Sequence, residues 1–142
     1  MSRSISGLVL IHGVDDENWP WADEPIDYQH SVHIVLDQGQ PAARVGIPPV
    51  RWGGECRFEL DLTAQVIDAR GNSQLRGVAK LFEGDSEDTT DLEDEKSFEL
   101  FVPRGGRPSA TTVTLNNSGL GGGDWATVQL SFTNSLFEES DE

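Results

Sequence analysis

The amino-acid sequence predicts an all-β protein, a single antiparallel β-sandwich of about seven strands. Apolar and polar residues alternate with period two in several short runs. No stretch keeps the apolar spacing of three and four residues that an amphipathic helix needs. Most of the 15 Gly and seven Pro lie between the alternating runs, where turns are expected. A small β-barrel is the main alternative.

The strands follow from these runs in chain order. Residues 5–11 form an apolar first strand, and Val32, Ile34 and Leu36 alternate within a second at 31–37. The most regular run covers residues 57–68, where Phe58, Leu60, Leu62, Ala64 and Val66 are the apolar members. Residues 69–72 are turn-forming types, so residues 75–82 are predicted to return as the second half of a hairpin.

Three further strands complete the prediction. Residues 97–102 alternate and stop at Pro103, residues 111–115 are rich in Thr and Val, and residues 125–132 alternate again. The chain of 142 residues has the length of one domain, and no linker divides it. We therefore expect one domain over residues 1–137, followed by an acidic tail at 138–142.

Negative charge is concentrated in three segments. The formal net charge is −15, with 25 acidic and 10 basic residues. Residues 15–27 contain six acids, residues 83–95 eight and residues 138–142 four, with no Lys or Arg among them. Nucleic acid and anionic lipid are therefore excluded as expected partners, because both require clustered positive charge. A basic protein surface is the partner that these segments favour.

The acidic run at 83–95 also raises the question of calcium. Residues 85–96 do not fit a helix–loop–helix calcium loop, because Thr90 replaces its central Gly and Lys96 its last Glu. A looser calcium site between sandwich loops stays open, with Asp85, Glu87, Asp88 and Asp91 as candidate ligands. We expect no other cofactor. His30 and His33 point to opposite faces of a strand, so they cannot share a metal ion.

Three tryptophans lie in segments rich in Pro, Gly or acidic residues. Trp19 and Trp21 flank Pro20, and Trp52 lies between a Pro pair and a Gly pair. Such side chains either anchor a partner or fold back as plugs over the ends of a sandwich.

Chain topology bears on whether the acidic segments cooperate. If seven strands each cross the domain once, the loops at 13–29 and 83–96 lie at opposite ends. An additional crossing strand at 44–47 would place them at the same end.

The sequence thus favours a binding module without enzymatic activity, whose acidic loops and loop tryptophans engage a basic protein. The expected binding residues are Trp19, Trp21, Trp52, Asp85, Asp88, Asp91 and Asp94. The alternatives are a calcium-dependent sandwich that binds carbohydrate or membrane, and a small hydrolase with paired carboxylates such as Glu59 and Asp61.

The cellular location is predicted from two further observations. The one cysteine, Cys56, allows no disulfide within the chain, which is compatible with a reducing cytoplasm. The apolar run at 8–11 is too short to span a bilayer, so no membrane insertion is expected. We therefore expect a cytoplasmic protein.

Overall fold

The computed structural model describes residues 2–15, 24–116 and 123–137. These residues form nine β-strands and no helix, in two antiparallel sheets that pack against each other without closing into a barrel. The predicted β-sandwich is confirmed. The strands are β1 (Ser2–Asp15), β2 (Glu24–Asp37), β3 (Ala43–Val45), β4 (Val50–Trp52), β5 (Cys56–Val66), β6 (Ser73–Glu83), β7 (Leu92–Val102), β8 (Ser109–Asn116) and β9 (Trp125–Leu136).

The strand order is close to a simple meander. The first sheet has the order β2-β1-β9-β8, and the second has the order β3-β5-β6-β7, with β4 also paired to β5. Strands β1 and β9 pair from Arg3 opposite Leu136 to Val14 opposite Trp125. The first and last strands of the described chain therefore lie at the centre of the first sheet.

Alternation along the strands determines which side chains enter the core. In β5 all five apolar residues of the predicted run are buried, as period two requires. From the first sheet, β1 contributes Ile5, Val9 and Ile11, while β9 contributes Val128 and Phe132. The core is thus a layer of apolar side chains between the two sheets.

Strands β3 and β4 together act as the additional crossing strand. Val45 of β3 pairs opposite Leu62, and Trp52 of β4 pairs opposite Cys56, so the chain from 43 to 52 runs the length of β5. Pro48 and Pro49 separate the two short strands, because proline cannot donate to a ladder. Seven crossing strands would have placed the acidic loops at 13–29 and 83–96 at opposite ends. The additional crossing places the described residues of both loops at the same end.

A polar network closes the other end of the sandwich. Buried Asn134 accepts a hydrogen bond from Nε of Arg3 at 2.9 Å and donates to the carbonyl of Gly71 at 2.7 Å. Ser73 donates to the carbonyl of Val102 at 2.9 Å. Among the described residues there is also no helix with the length and apolar character needed to cross a membrane.

Candidate functional site

Described residues of two acidic segments, 15–27 and 83–95, lie at one end of the sandwich, here called the acidic end. In the first sheet, β1 ends at Asp15, which pairs with Glu24 at the start of β2, and β9 begins at Trp125. In the second sheet, β5 begins at Cys56 opposite Glu83, the last residue of β6. Gly53, three residues before Cys56, lies against Asp15, so the loop at 84–91, which follows β6, is at the same end as Asp15.

Three buried side chains from both sheets converge at the base of this end. Asp15 is 1% exposed, Cys56 0% and Asp124 6%. One carboxylate oxygen of each aspartate and the Cys56 Sγ all lie within 4.8 Å of one another. Asp15 is the last residue of β1, Cys56 the first of β5, and Asp124 immediately precedes β9. We call these three residues the buried trio.

Backbone geometry allows the second sheet to approach Asp15. Gly53 has φ of +66°, a conformation that residues with a Cβ rarely adopt. A Cβ at this position would lie 2.1 Å from Oδ2 of Asp15. Glycine is therefore required both for the turn between β4 and β5 and for the room that Asp15 occupies.

Trp52 lies beside the trio as a buried plug. It is 4% exposed and pairs directly opposite Cys56. A Cβ on Gly13 would lie 2.8 Å from Cζ2 and 3.1 Å from Cε2 of its indole, so the edge that carries Nε1 faces β1. That Nε1 is buried and donates to no acceptor in the described part of the chain.

Electrostatics at this end are dominated by negative charge. Burial is the largest cause of a strongly raised pKa at the Cys56 thiol, and Asp15, Asp124, Glu83 and Glu55 raise it further. Burial likewise raises the pKa of Glu83, with Asp124 and Glu55 as the next causes. The charges that shift these two groups are all carboxylates, so the acidic end favours any positive charge that reaches it.

The loop at 84–91 is held against the sandwich by a few specific bonds. Gly54 N donates to Oε2 of Glu87 at 2.9 Å, and Nη1 of Arg57 donates to the Glu87 carbonyl at 2.6 Å. Asp88 forms an ion pair with Arg51 at 3.5 Å. Asp85, Asp88 and Asp91 are all exposed. These three residues therefore offer charge to the outside, while Glu87 fixes the loop.

Asp94, also expected to bind a partner, lies within β7 and is half-buried. Its Oδ2 accepts a hydrogen bond from the backbone N of Asn116 at 2.9 Å. This bond connects β7 to β8, which belong to different sheets. The geometry thus gives Asp94 a role in joining the two sheets.

The candidate calcium ligands are distributed differently from the buried trio. Asp85, Glu87, Asp88 and Asp91 share one loop, but in the described residues the acidic, Cys and His side chains close enough to share an ion are Asp15, Cys56 and Asp124. Sequence reasoning missed this trio, because its members are separated by 41 and 68 residues and meet only through the topology. The sequence signal for the trio was Asp15, an acidic residue that occupies a core-facing position at the end of β1.

Trp19 and Trp21 lie outside the described residues, but Trp125 lines a groove on the outer face of the first sheet. Its ring and that of His12 have centroids 5.1 Å apart. His12 Nδ1 also contacts Oδ1 of Asp27 at 2.5 Å. The groove has a volume of about 550 Å³, and Gln29 and Gln129 contribute to its lining.

Glu59 and Asp61, the paired carboxylates of the hydrolase hypothesis, both form ion pairs. Glu59 accepts from Arg57 at 2.7 Å, and Asp61 from Arg44 at 3.2 Å. The two histidines considered as ligands differ in exposure, and Nε2 of His33 contacts the Ser4 hydroxyl at 2.9 Å.

The fold and the site define a β-sandwich with a carboxylate-rich end. No protein-family model matches the chain, and neither does any curated protein.

Proposed function

We propose that this protein is a binding module whose acidic end engages a cationic surface of a partner protein. The observation that carries the proposal is the convergence of acidic segments from both sheets at one end. Exposed carboxylates at 85, 88 and 91 lie above a base of further carboxylates, and Asp88 alone of these three forms an ion pair with a described basic side chain. Charge of this kind accelerates encounter and selects a partner by complementarity.

An aromatic anchor is available at the same end of the sandwich, on the outer face of the first sheet. Trp125 directly follows Asp124, and its partly exposed ring lies next to His12 and the groove that Asp27 borders. A Lys or Arg side chain from a partner placed over this ring gains a cation–π contact near a carboxylate. Trp52 is buried, so it supports the end from inside, and Trp125 is the described tryptophan that can act as an anchor.

The test is binding of a synthetic peptide of alternating Lys and Arg, followed by calorimetry at low and high salt. Wild-type protein is expected to bind at 50 mM NaCl and to lose more than tenfold in affinity at 500 mM, since salt screens exposed charges. In the double variant Asp85→Asn/Asp91→Asn, affinity is expected to fall about fivefold, because each exposed pair contributes about 0.5 kcal/mol.

A matched control variant distinguishes the effect of charge at the acidic end from the effect of the protein's net charge. Asp61→Asn/Glu99→Gln removes the same two charges from exposed positions on β5 and β7, where the carboxylates pair with Arg44 and Arg76. This control is expected to bind as wild type does. Equal weakening in both double variants would mean that net charge, and not the acidic end, drives binding.

The groove favours a second candidate function, the binding of a neutral saccharide. An aromatic ring bordered by two amide side chains and a carboxylate offers an apolar platform with hydrogen-bonding groups around it, as small-ligand sites do. Titration with cellohexaose and xylohexaose, read by tryptophan fluorescence, tests this function. Binding that is insensitive to salt and lost in Trp125→Ala supports it, and unchanged fluorescence at millimolar sugar excludes it for these two sugars.

A further inference from the structure

The buried trio combines two ligand types that bind metal ions in proteins, carboxylate and thiolate. Two carboxylates and one thiol place their ligand atoms within 4.8 Å of one another, and all three residues are at least nine-tenths buried. Carboxylate oxygens and a cysteine sulfur that converge in this way form a donor set that a single divalent ion can bridge. The arrangement therefore resembles a set of metal ligands more than a set of packed core residues.

Trp52 supplies an independent observation in the same place. Its Nε1 is buried and has no acceptor among the described residues, and the edge of the ring that carries it faces β1 two residues before Asp15. Buried N–H groups normally have a partner. A water molecule or hydroxide that completes the coordination of a metal ion beside Asp15 is an acceptor of the kind that this donor requires.

We propose that Asp15, Cys56 and Asp124 bind a divalent transition-metal ion of the zinc class. Thiolate sulfur is a soft ligand that zinc and cobalt accept readily, whereas calcium and magnesium take oxygen ligands. Two carboxylate oxygens, one sulfur and one water give the four-coordinate geometry that zinc prefers. This site is different from the calcium site that the loop at 84–91 suggested.

Binding changes the protonation of one group and involves no oxidation or reduction. The S–H bond of Cys56 breaks, its proton passes to solvent, and the sulfur lone pair forms the bond to the metal. The ion is attracted to both aspartates. Because the ligands come from β1, from β5 and from the residue before β9, the ion joins the two sheets at the acidic end.

Cobalt(II) is the direct probe, because a cobalt–thiolate bond has a charge-transfer absorption that carboxylates and water do not produce. Addition of one equivalent of Co²⁺ to the full-length protein is expected to produce this band, and one equivalent of Zn²⁺ to remove it by competition. Zinc is also expected to raise the midpoint of thermal unfolding by several degrees at hundredfold saturation. Calcium and magnesium at the same concentration are expected to leave it unchanged.

Variants at the trio and at the loop complete the test. Cys56→Ser is expected to lose the band, and Asp124→Asn to bind cobalt at least tenfold more weakly, with circular dichroism as the check that each is folded. Asp88→Asn and Asp91→Asn, which remove exposed carboxylates of the neighbouring loop, are the matched controls and are expected to bind cobalt normally.

Several results would overturn the proposal. These are absence of the band in folded wild-type protein, full cobalt affinity in folded Asp124→Asn and Asp15→Asn, or equal stabilisation by calcium and zinc. If Cys56→Ser does not fold, the two aspartate variants alone decide. The proposal does not depend on peptide binding at the acidic end, since that function is tested with loop variants that leave the trio intact.

Discussion

At Cys56, burial and neighbouring negative charge act on the thiol in the same direction. Burial disfavours the thiolate because it removes water, and Asp15 and Asp124 disfavour it by repulsion. The thiolate is the reactive form of cysteine in alkylation and disulfide exchange. Without a bound cation, the side chain is therefore expected to behave as an inert, protonated core residue.

The prediction for Cys56 is slow reaction with a thiol reagent such as Ellman's reagent at pH 8. The native protein is expected to react at least 100-fold more slowly than the chain unfolded in guanidinium chloride, because both access and thiolate formation are suppressed. The rate of colour development measures this directly. Comparable rates in the two states would show that the thiol is neither buried nor repelled.

Asp124 offers a prediction whose size depends on metal. In chelator, Asp124→Asn is expected to be closer in stability to wild type than it is in zinc, because the ion that the carboxylate would hold is then absent. With zinc present, the same variant is expected to be less stable than wild type, since a ligand is lost. Urea unfolding in both buffers provides the comparison, and a variant that is destabilised equally in both would contradict this account.

At the scale of single residues, exposed side chains could be predicted from the sequence more readily than buried ones. Asp85, Asp88 and Asp91 could be assigned to an exposed loop, because eight acids in thirteen residues cannot all be buried. The trio could not be predicted in the same way, because its members depend on strand register across two sheets. Trp52 was ambiguous for a similar reason, since its burial depends on Gly13 of a distant strand.

At the scale of elements, the β5–β6 hairpin shows how one side chain organises a turn. Asp68 accepts hydrogen bonds from Nδ2 of Asn72 at 2.8 Å and from the backbone N of Arg70 at 2.9 Å. The bond from the Asn72 side chain is the main cause of a lowered pKa at Asp68. The carboxylate form is therefore the one that stabilises the turn.

The resulting prediction concerns acid. Since the folded-state pKa is below the unfolded value, the contribution of Asp68 is present at neutral pH and is lost as the pH falls through the folded-state pKa. Amide hydrogen exchange at Arg70 and Asn72 is expected to accelerate in Asp68→Asn at pH 7 more than it does at pH 3. The idea fails if the variant and wild type differ by the same factor at both pH values.

The seam between β7 and β8 is closed by side chains in place of a strand ladder. Nζ of Lys96 donates to the carbonyl of Thr114 at 2.6 Å, and Asp94 accepts from the backbone N of Asn116. Asp94→Ala is expected to lower the free energy of unfolding by about 1–2 kcal/mol, the scale of one hydrogen bond to a charged group.

Glu95→Ala is the control for this seam, because its side chain is exposed on the adjacent position of β7. It is expected to change stability by less than about 0.5 kcal/mol. Urea unfolding of both variants measures the difference. Equal effects would mean that Asp94 makes no special contribution to the contact between sheets.

Elements with strong alternation were predictable, and elements with interrupted patterns were not. The β5–β6 hairpin was predicted nearly to its ends because apolar residues mark every second position. Strand β2 begins at Glu24, seven residues before the predicted start, because Ile26, Tyr28 and His30 form only a weak apolar face. Strands β3 and β4 have three residues each, too few for a period to be visible.

At the scale of the whole molecule, negative charge on the described residues is concentrated at one end. Two of the three acidic segments, 15–27 and 83–95, contribute described residues to the acidic end. The other end carries Arg3 in the Asn134 network, Arg70 in the β5–β6 turn, and Arg104 and Arg107 between β7 and β8, together with Asp37 and Asp68. A cationic partner is therefore attracted more strongly to the acidic end than to these described residues, which orients the encounter.

This orientation could not be derived from composition, because it depends on whether the chain between β2 and β5 crosses the domain. The short strands β3 and β4 provide that crossing and bring both acidic segments to the same end. The chain between β2 and β5, which is rich in Pro and Gly, thus determines that both acidic segments lie at one end, although it carries little charge itself.

NMR mapping of the bound peptide shows which end of the sandwich the cationic partner contacts. Uniformly ¹⁵N-labelled protein is titrated with the Lys–Arg peptide at 50 mM NaCl, and amide shift changes are followed residue by residue. Changes are expected to concentrate at residues 53–56, 83–91 and 123–125 and to disappear at 500 mM NaCl. Changes centred on residues 67–72 and 103–108, or spread evenly over both sheets, would contradict binding at the acidic end.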